Sequence, residues 1–200
     1  GSNPCAYIRP NKRRKCERFL SNQEIARLGE ALSRKIHSHP LHASIIYLLL
    51  LTGCRSSEIT DLTWSEVKGG RLLLHDSKTG PRTVWLGDEA RTFLASLERR
   101  GGSDPVFWNK LSRRPVGSID VFWKGVKAEA NLPGVRIHDL RHSFASTAIM
   151  DNVPLATIGR LLGHVLPETT AKYAHLSDDV IGDAADRISS VLAKTIGLPA

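Results

Sequence analysis

Apolar residues recur along most of the chain every three or four positions, the spacing of helices that bury one face. Ser21-Asn-Gln-Glu24 has the form of a capping box, with Leu20 and Ile25 placed as a hydrophobic staple. Ile25, Leu28, Leu32 and Ile36 then share one side, which predicts a first helix. Pro40 suits the first turn of a second helix, whose run Ile45 to Leu51 is apolar nearly all round and therefore belongs in the core. That helix ends at Thr52-Gly53, and a short one capped by Ser56 or Ser57 follows, with Leu62 and Trp64 returning inward. The pattern then changes to short strands at Thr63 to Val67, Arg71 to His75 and Thr83 to Leu86, divided by Gly69-Gly70 and by Ser77-Lys78-Thr79-Gly80-Pro81: a small antiparallel sheet. Helical spacing resumes from Asp88 to Arg100, through Ala90, Phe93, Leu94 and Leu97, and again after Ser118, through Ile119, Phe122, Trp123 and Val126. Ile158, Leu161 and Leu162 close a helix begun at Pro154, with Gly163 in the place of a C-terminal cap. Ser177 caps a last helix carrying Val180, Ala184, Ile188, Val191 and Leu192.

Two hundred residues, 41% of them hydrophobic, suffice for one sizeable core, or one domain with a short arm. The expected division is a basic arm at 1–18 and a domain at 19–200, whose last helix spans 177–195. Gly1-Ser2 reads as a remnant of expression cloning, so the chain is expected to be part of something longer. A formal net charge of +8 points to a polyanionic partner. Lys12, Arg13, Arg14 and Lys15, set among Pro4, Pro10 and Asn11, form either a solvated tail or a strap on nucleic-acid phosphates. Cys5, Cys16 and Cys54 are odd in number and make no Cys-x-x-Cys, so neither a disulfide framework nor a cysteine zinc site is indicated, and a reducing cytosol fits. The longest apolar run is far shorter than the roughly 20 residues of a membrane span.

Chemistry concentrates between Val135 and His175. His138, Arg141 and His142 stand at i, i+3 and i+4, so one helical face carries a permanent cation beside titratable rings. His164 follows the Gly163 cap, where its ring can enter a cleft, and Tyr173 comes soon after. Histidines, an arginine and a tyrosine without a cysteine or carboxylate cluster suit chemistry on an anion, with the tyrosine as nucleophile and a phosphodiester as target. Arg55 falls among apolar neighbours between a buried helix and the next, so it must be paired or face a ligand, and Glu58 is its local partner. Lys78 lies at a turn tip from which an ammonium could reach a cleft. Asp139 is placed to cap a helix, and His142 and His175 read as structural.

Taken together, Thr52-Gly-Cys-Arg55-Ser-Ser-Glu58-Ile, Lys78, His138-Asp-Leu-Arg141-His142-Ser-Phe, Leu162-Gly-His164 and Tyr173-Ala-His175 closely resemble the tyrosine recombinase (phage integrase) family, in the family's order and from about Ser21 to His175. The spacing around Tyr173 looks more like that of prophage or integrative-element integrases than of chromosome-dimer resolvases. The resemblance implies an α+β, mostly helical catalytic domain with a small three-stranded antiparallel sheet. It implies site-specific cutting and rejoining of double-stranded DNA with no metal, ATP or other cofactor. An amino-terminal DNA-clamping domain is expected before this catalytic fragment, with self-association into a tetramer on DNA, a monomer in isolation, and a bacterial cytoplasmic, nucleoid-associated location. Carried over by position, Arg55, Lys78, His138, Arg141, His164 and Tyr173 form the active site, with Glu58 in support. Arg55 and Arg141 grip the scissile phosphate, His138 accepts the tyrosine proton or orients the phosphate, His164 donates to a phosphate oxygen, and Lys78 protonates the leaving 5′ oxygen. Three rivals remain: a type IB topoisomerase-like enzyme, which would relax supercoils without strand transfer; a DNA-binding module indifferent to Tyr173→Phe; and a metal hydrolase using His138, His142 and His164, which a chelator would stop.

Overall fold

Helix α2 (Pro40–Thr52) is the axis of the molecule because almost none of its surface is polar: Ala43, Ile45, Ile46, Leu48 and Leu49 are all buried. Each buried Ile or Leu side chain contributes about 1.5–3 kcal/mol on leaving water, so neighbouring helices pack around α2. The computed structural model describes residues 18–75, 80–99, 104–109, 112, 114–164, 170 and 188. Before α2 stands α1 (Asn22–Lys35), opened by the expected box: Glu24 N–H donates to Ser21 Oγ (3.3 Å) and Ser21 N–H to the Glu24 carboxylate (3.0 Å). Leu28, Ala31 and Leu32 are its buried stripe. After α2 come α3 (Ser56–Thr60), a 3-10 turn (Trp64–Glu66), and strands β1 (Val67–Lys68), β2 (Arg71–Leu74) and β3 (Arg82–Trp85). The order continues through α4 (Asp88–Ser96), β4 (Trp108–Asn109), β5 (Arg114–Pro115), α5 (Asp120–Glu129), α6 (Ile137–Met150) and α7 (Leu155–Leu162). Among the described residues no helix is long and apolar enough to cross a membrane.

The antiparallel sheet has the order β1-β2-β3, with Leu72 opposite Val84 and Arg71 opposite Trp85. Its buried positions are Leu72, Leu74 and Val84; on the other face the Arg71 guanidinium stacks 4.1 Å from the centre of the exposed Trp85 ring. The main core joins α1, α2, α3, the sheet, α4, α5 and the start of α6, with Phe107 and Leu132 fully buried in it. A smaller cluster of Ala145, Ile149, Ile158 and Leu162 packs α7 on α6. Leu20 N–H donates to Ser143 Oγ (2.8 Å), tying the chain entering α1 to α6.

Several boundaries differ from the sequence expectation. The first strand is two residues long, because Thr63 N–H and Oγ1 both donate to the Glu66 carboxylate (3.0 and 2.8 Å) and fold Trp64–Glu66 into a 3-10 turn. Neither Ser56 nor Ser57 caps α3; Glu58 reaches back to accept the Arg55 N–H at 2.8 Å. Ser118 does accept the Asp120 N–H (3.1 Å), but it stands one residue ahead of the N-cap position, which is Ile119. Helix α4 stops at Ser96 rather than Arg100, and Arg99 stacks on the Trp64 ring at 4.5 Å. The hairpin β4–β5 was not foreseen. Arg18, read as part of the arm, pairs with Glu24 at 2.5 Å. Residues 1–17, and so Lys12, Arg13, Arg14 and Lys15, lie outside the described residues, as does the final helix except Ile188, which is helical and 61% exposed.

Candidate active site

Two helix ends meet beside α6. Helix α2 ends at Gly53 (φ +62°) and α7 at Gly163 (φ +67°), each in the left-handed conformation that favours glycine. Gly53 is also required sterically, since a Cβ there would lie 2.6 Å from the Phe144 ring. Helix ends carry carbonyls with no helical donor, and Arg141 supplies two of them: Nη1 donates to Gly53 O (2.8 Å) and Nη2 to Leu162 O (2.6 Å). Burial, then the charges of Arg55 and Arg82, lower its pKa to about 10, so it stays cationic at neutral pH. Both of these hydrogen-bond partners are neutral oxygens, which leaves the charge available to an anion.

Glu58 stands at the centre of the second arginine group. Arg55 Nη1 donates to Oε1 (2.7 Å), while Arg82 brackets the same carboxylate with Nε to Oε1 (3.1 Å) and Nη2 to Oε2 (2.8 Å). Burial works to raise the Glu58 pKa; the Arg55 N–H, the charge of Arg82 and the hydrogen bonds from both arginines outweigh it, and the carboxyl is held below its ordinary value. Arg55 keeps 21% of its side-chain surface exposed and Arg82 only 8%. Arg55 and Arg82 share this one carboxylate and Arg141 feels the charges of all three, a surplus of two positive charges among these four side chains. That surplus suits an anion.

The loop into α6 is pinned by Trp123 Nε1 and Lys127 Nζ, which both donate to Val135 O (3.3 and 3.1 Å), and Asp139 caps the helix by accepting the Arg136 N–H (2.8 Å). This placement leaves His138 exposed and His142 buried, their rings edge to face at 4.9 Å. His138 borders a cleft of about 620 Å³ that Cys54, Ser56, Lys124, Lys127 and Arg136 also line, so basic side chains flank the approach. His164 follows Gly163, where it was expected, and its Nδ1 shares a 2.7 Å hydrogen bond with the hydroxyl of buried Thr170.

The fold therefore gathers Arg55, Glu58 and Arg141 around the ends of α2 and α7, with His138 on α6 and His164 just past α7. Lys78 and Tyr173, and His175 with them, lie outside the described residues. Arg82 is the residue that the sequence reading missed. A signal existed: it shares strand parity with buried Val84 and Leu86, so its charge points inward and needs a partner.

Residues 18–179 match the profile of the Phage integrase family, which is most of the chain. The chain belongs to that family. Among relatives, this integrase-family chain is 29% identical over 180 residues to "Tyrosine recombinase XerC" of Lactobacillus leichmannii, covering 82% of the chain and 60% of the relative. It is 32% identical over 184 residues to the "Putative integrase" of Pseudomonas phage Pf1, covering 91% and 52%. The chain thus spans little more than half the length of these relatives. Among solved structures it superposes on the XerA recombinase with a TM-score of 0.66 at 25% identity, covering 90% of this chain and 66% of that one. The catalytic domain of bacteriophage HP1 integrase gives 0.63 at 25% identity, with 84% of this chain and 93% of that one aligned. The expected α+β, mostly helical recombinase fold with its small sheet is the one observed.

Proposed function

We propose that this chain is the catalytic part of a site-specific DNA recombinase in which Tyr173 attacks a scissile phosphodiester. The observation that carries the reading is the gathering of three arginines, Arg55 and Arg82 sharing the Glu58 carboxylate and Arg141 held by the Gly53 and Leu162 carbonyls within reach of their charges. A phosphodiester brings one negative charge and an attacking phenolate a second, so the pentacoordinate transition state matches the surplus of two positive charges. A phenol of pKa about 10 is about one part in a thousand ionised at pH 7, a handicap of about 4 kcal/mol. Electrostatic stabilisation by Arg55 and Arg141 offsets it, each donor being worth roughly a hundredfold to a thousandfold in rate.

Arg55 and Arg141 hold the non-bridging oxygens, Glu58 orients Arg55, His138 takes the phenol proton or steadies the phosphate, and His164, steadied by Thr170, donates to a phosphate oxygen. The Tyr173 oxygen bonds to phosphorus as the bond to the 5′ oxygen breaks, and Lys78 delivers a proton to that leaving oxygen. A 3′-phosphotyrosyl linkage results. Because it preserves the energy of the broken bond, a 5′ hydroxyl of a partner strand can reverse the step without ATP. Support comes from the neighbours as well: the XerH structures are of a recombinase bound to its substrate, and the Tn1549 transposon integrase was solved with circular intermediate DNA. Exchange between duplexes calls for several copies, and we assign a tetramer on DNA in the bacterial cytoplasm to the working form.

The test is a library of nicked random-sequence duplexes, whose nick lets the cleaved 5′ fragment diffuse away and traps the intermediate. Incubated with the chain without divalent metal, it should yield denaturation-resistant protein–DNA adducts enriched in one sequence. Tyr173→Phe should yield none. Adducts formed equally by Tyr173→Phe, or duplex binding with no adduct from the native chain, would contradict the reading.

A further inference from the structure

We infer that Arg82 is a positioning residue for the cleavage step, acting through Glu58 on the grip of Arg55. The inference rests on the recombinase reading above. Arg82 itself has little to offer a substrate: Nε and Nη2 are committed to Glu58, Nη2 also points at Cys54 Sγ (3.6 Å), Nη1 donates to Leu161 O (3.4 Å), and the side chain is 8% exposed. Its importance lies in what it does to Glu58. A lone Arg55–Glu58 pair would be neutral, and its carboxylate would compete with a phosphate for the same guanidinium. With Arg82 bracketing both oxygens, Glu58 is shared, the cluster regains a positive charge, and the carboxylate that fixes Arg55 is fixed in its turn.

Arg82 also joins parts of the site that are remote in sequence. It opens β3, four residues after Lys78 in the sequence, and it touches the last turn of α7, whose Leu162 carbonyl holds Arg141 and whose cap precedes His164. Gly163 is part of the arrangement, because a Cβ there would lie 2.8 Å from Arg82 Cδ and closer still to Nη1.

The experiment uses the duplex recovered by the nicked-library selection in two forms, one with the natural scissile phosphate and one with an uncharged methylphosphonate there. Arg82→Lys keeps the charge and loses the bidentate fork. Adduct formation on the natural phosphate should slow by about tenfold to a hundredfold, the cost of an ångström-scale misplacement, with affinity for intact duplex unchanged. On the methylphosphonate, which lacks the oxygen charge that Arg55 neutralises, the penalty should shrink. Gly163→Ala, which displaces Arg82 from outside, should show the same split and serves should Arg82→Lys not fold. A wild-type rate in both variants, an equal penalty on both substrates, or affinity falling in step with rate overturns the inference. A native chain that forms no adduct overturns the recombinase reading and this inference with it, whereas a native chain that reacts beside indifferent variants overturns this inference alone.

Discussion

Glu58 is the residue on which charge and structure meet most directly. Its carboxyl is held below the ordinary value, so the ionised form is favoured more in the folded chain than in the unfolded one. The stability this contributes is complete above the unfolded value near 4.5 and is lost as pH falls through the lowered folded value. Glu58→Gln should therefore destabilise the chain by about 3–5 kcal/mol at pH 7, since two guanidiniums lose their counter-ion. In thermal unfolding followed from pH 7 to pH 3, the gap between native and variant should hold down to about pH 5 and narrow below pH 4.5. A gap that is constant over the whole range would contradict the assignment. Arg141→Ala strands the Gly53 and Leu162 carbonyls, at about 1–3 kcal/mol each in urea unfolding, and should slow adduct formation by roughly a hundredfold to a thousandfold.

The elements position these residues chiefly through how they end. Gly163 closes α7 in a left-handed turn and leaves room for Arg82, so Gly163→Ala combines backbone strain of about 1–2 kcal/mol with displacement of a buried cation. A fall in the unfolding midpoint together with slower adduct formation is expected, and wild-type values for both would show that the turn does not need glycine. The helices were legible in sequence because burial imposes a period near 3.6 and caps mark their ends, as Ser21 with Glu24 and Gly53 do. The first strand was not, because Thr63 and Glu66 form a local box that outweighs alternation over a few residues. Arg55, Glu58, Arg141 and His164 could be found from local motifs. For Arg82 strand parity marks an inward charge but not its partner, which is 24 residues back on α3 and is brought to it only by the tertiary fold.

At the scale of the whole molecule the net charge of +8 and the basic edge of the cleft at Lys124, Lys127 and Arg136 should make duplex binding depend strongly on salt. Affinity should fall linearly on a log–log plot, by about 0.9 of a decade per decade of salt for each phosphate contacted, and a flat response would argue against a nucleic-acid partner. Affinity alone does not show that the assembled cations serve a reaction. The most direct measurement is peptide mapping by mass spectrometry of the covalent adduct formed on the nicked duplex. The expected product is the Tyr173 peptide bearing a nucleotide through its 3′ phosphate. Nucleotide mass on any other residue, or on none while the duplex remains bound, would contradict the account.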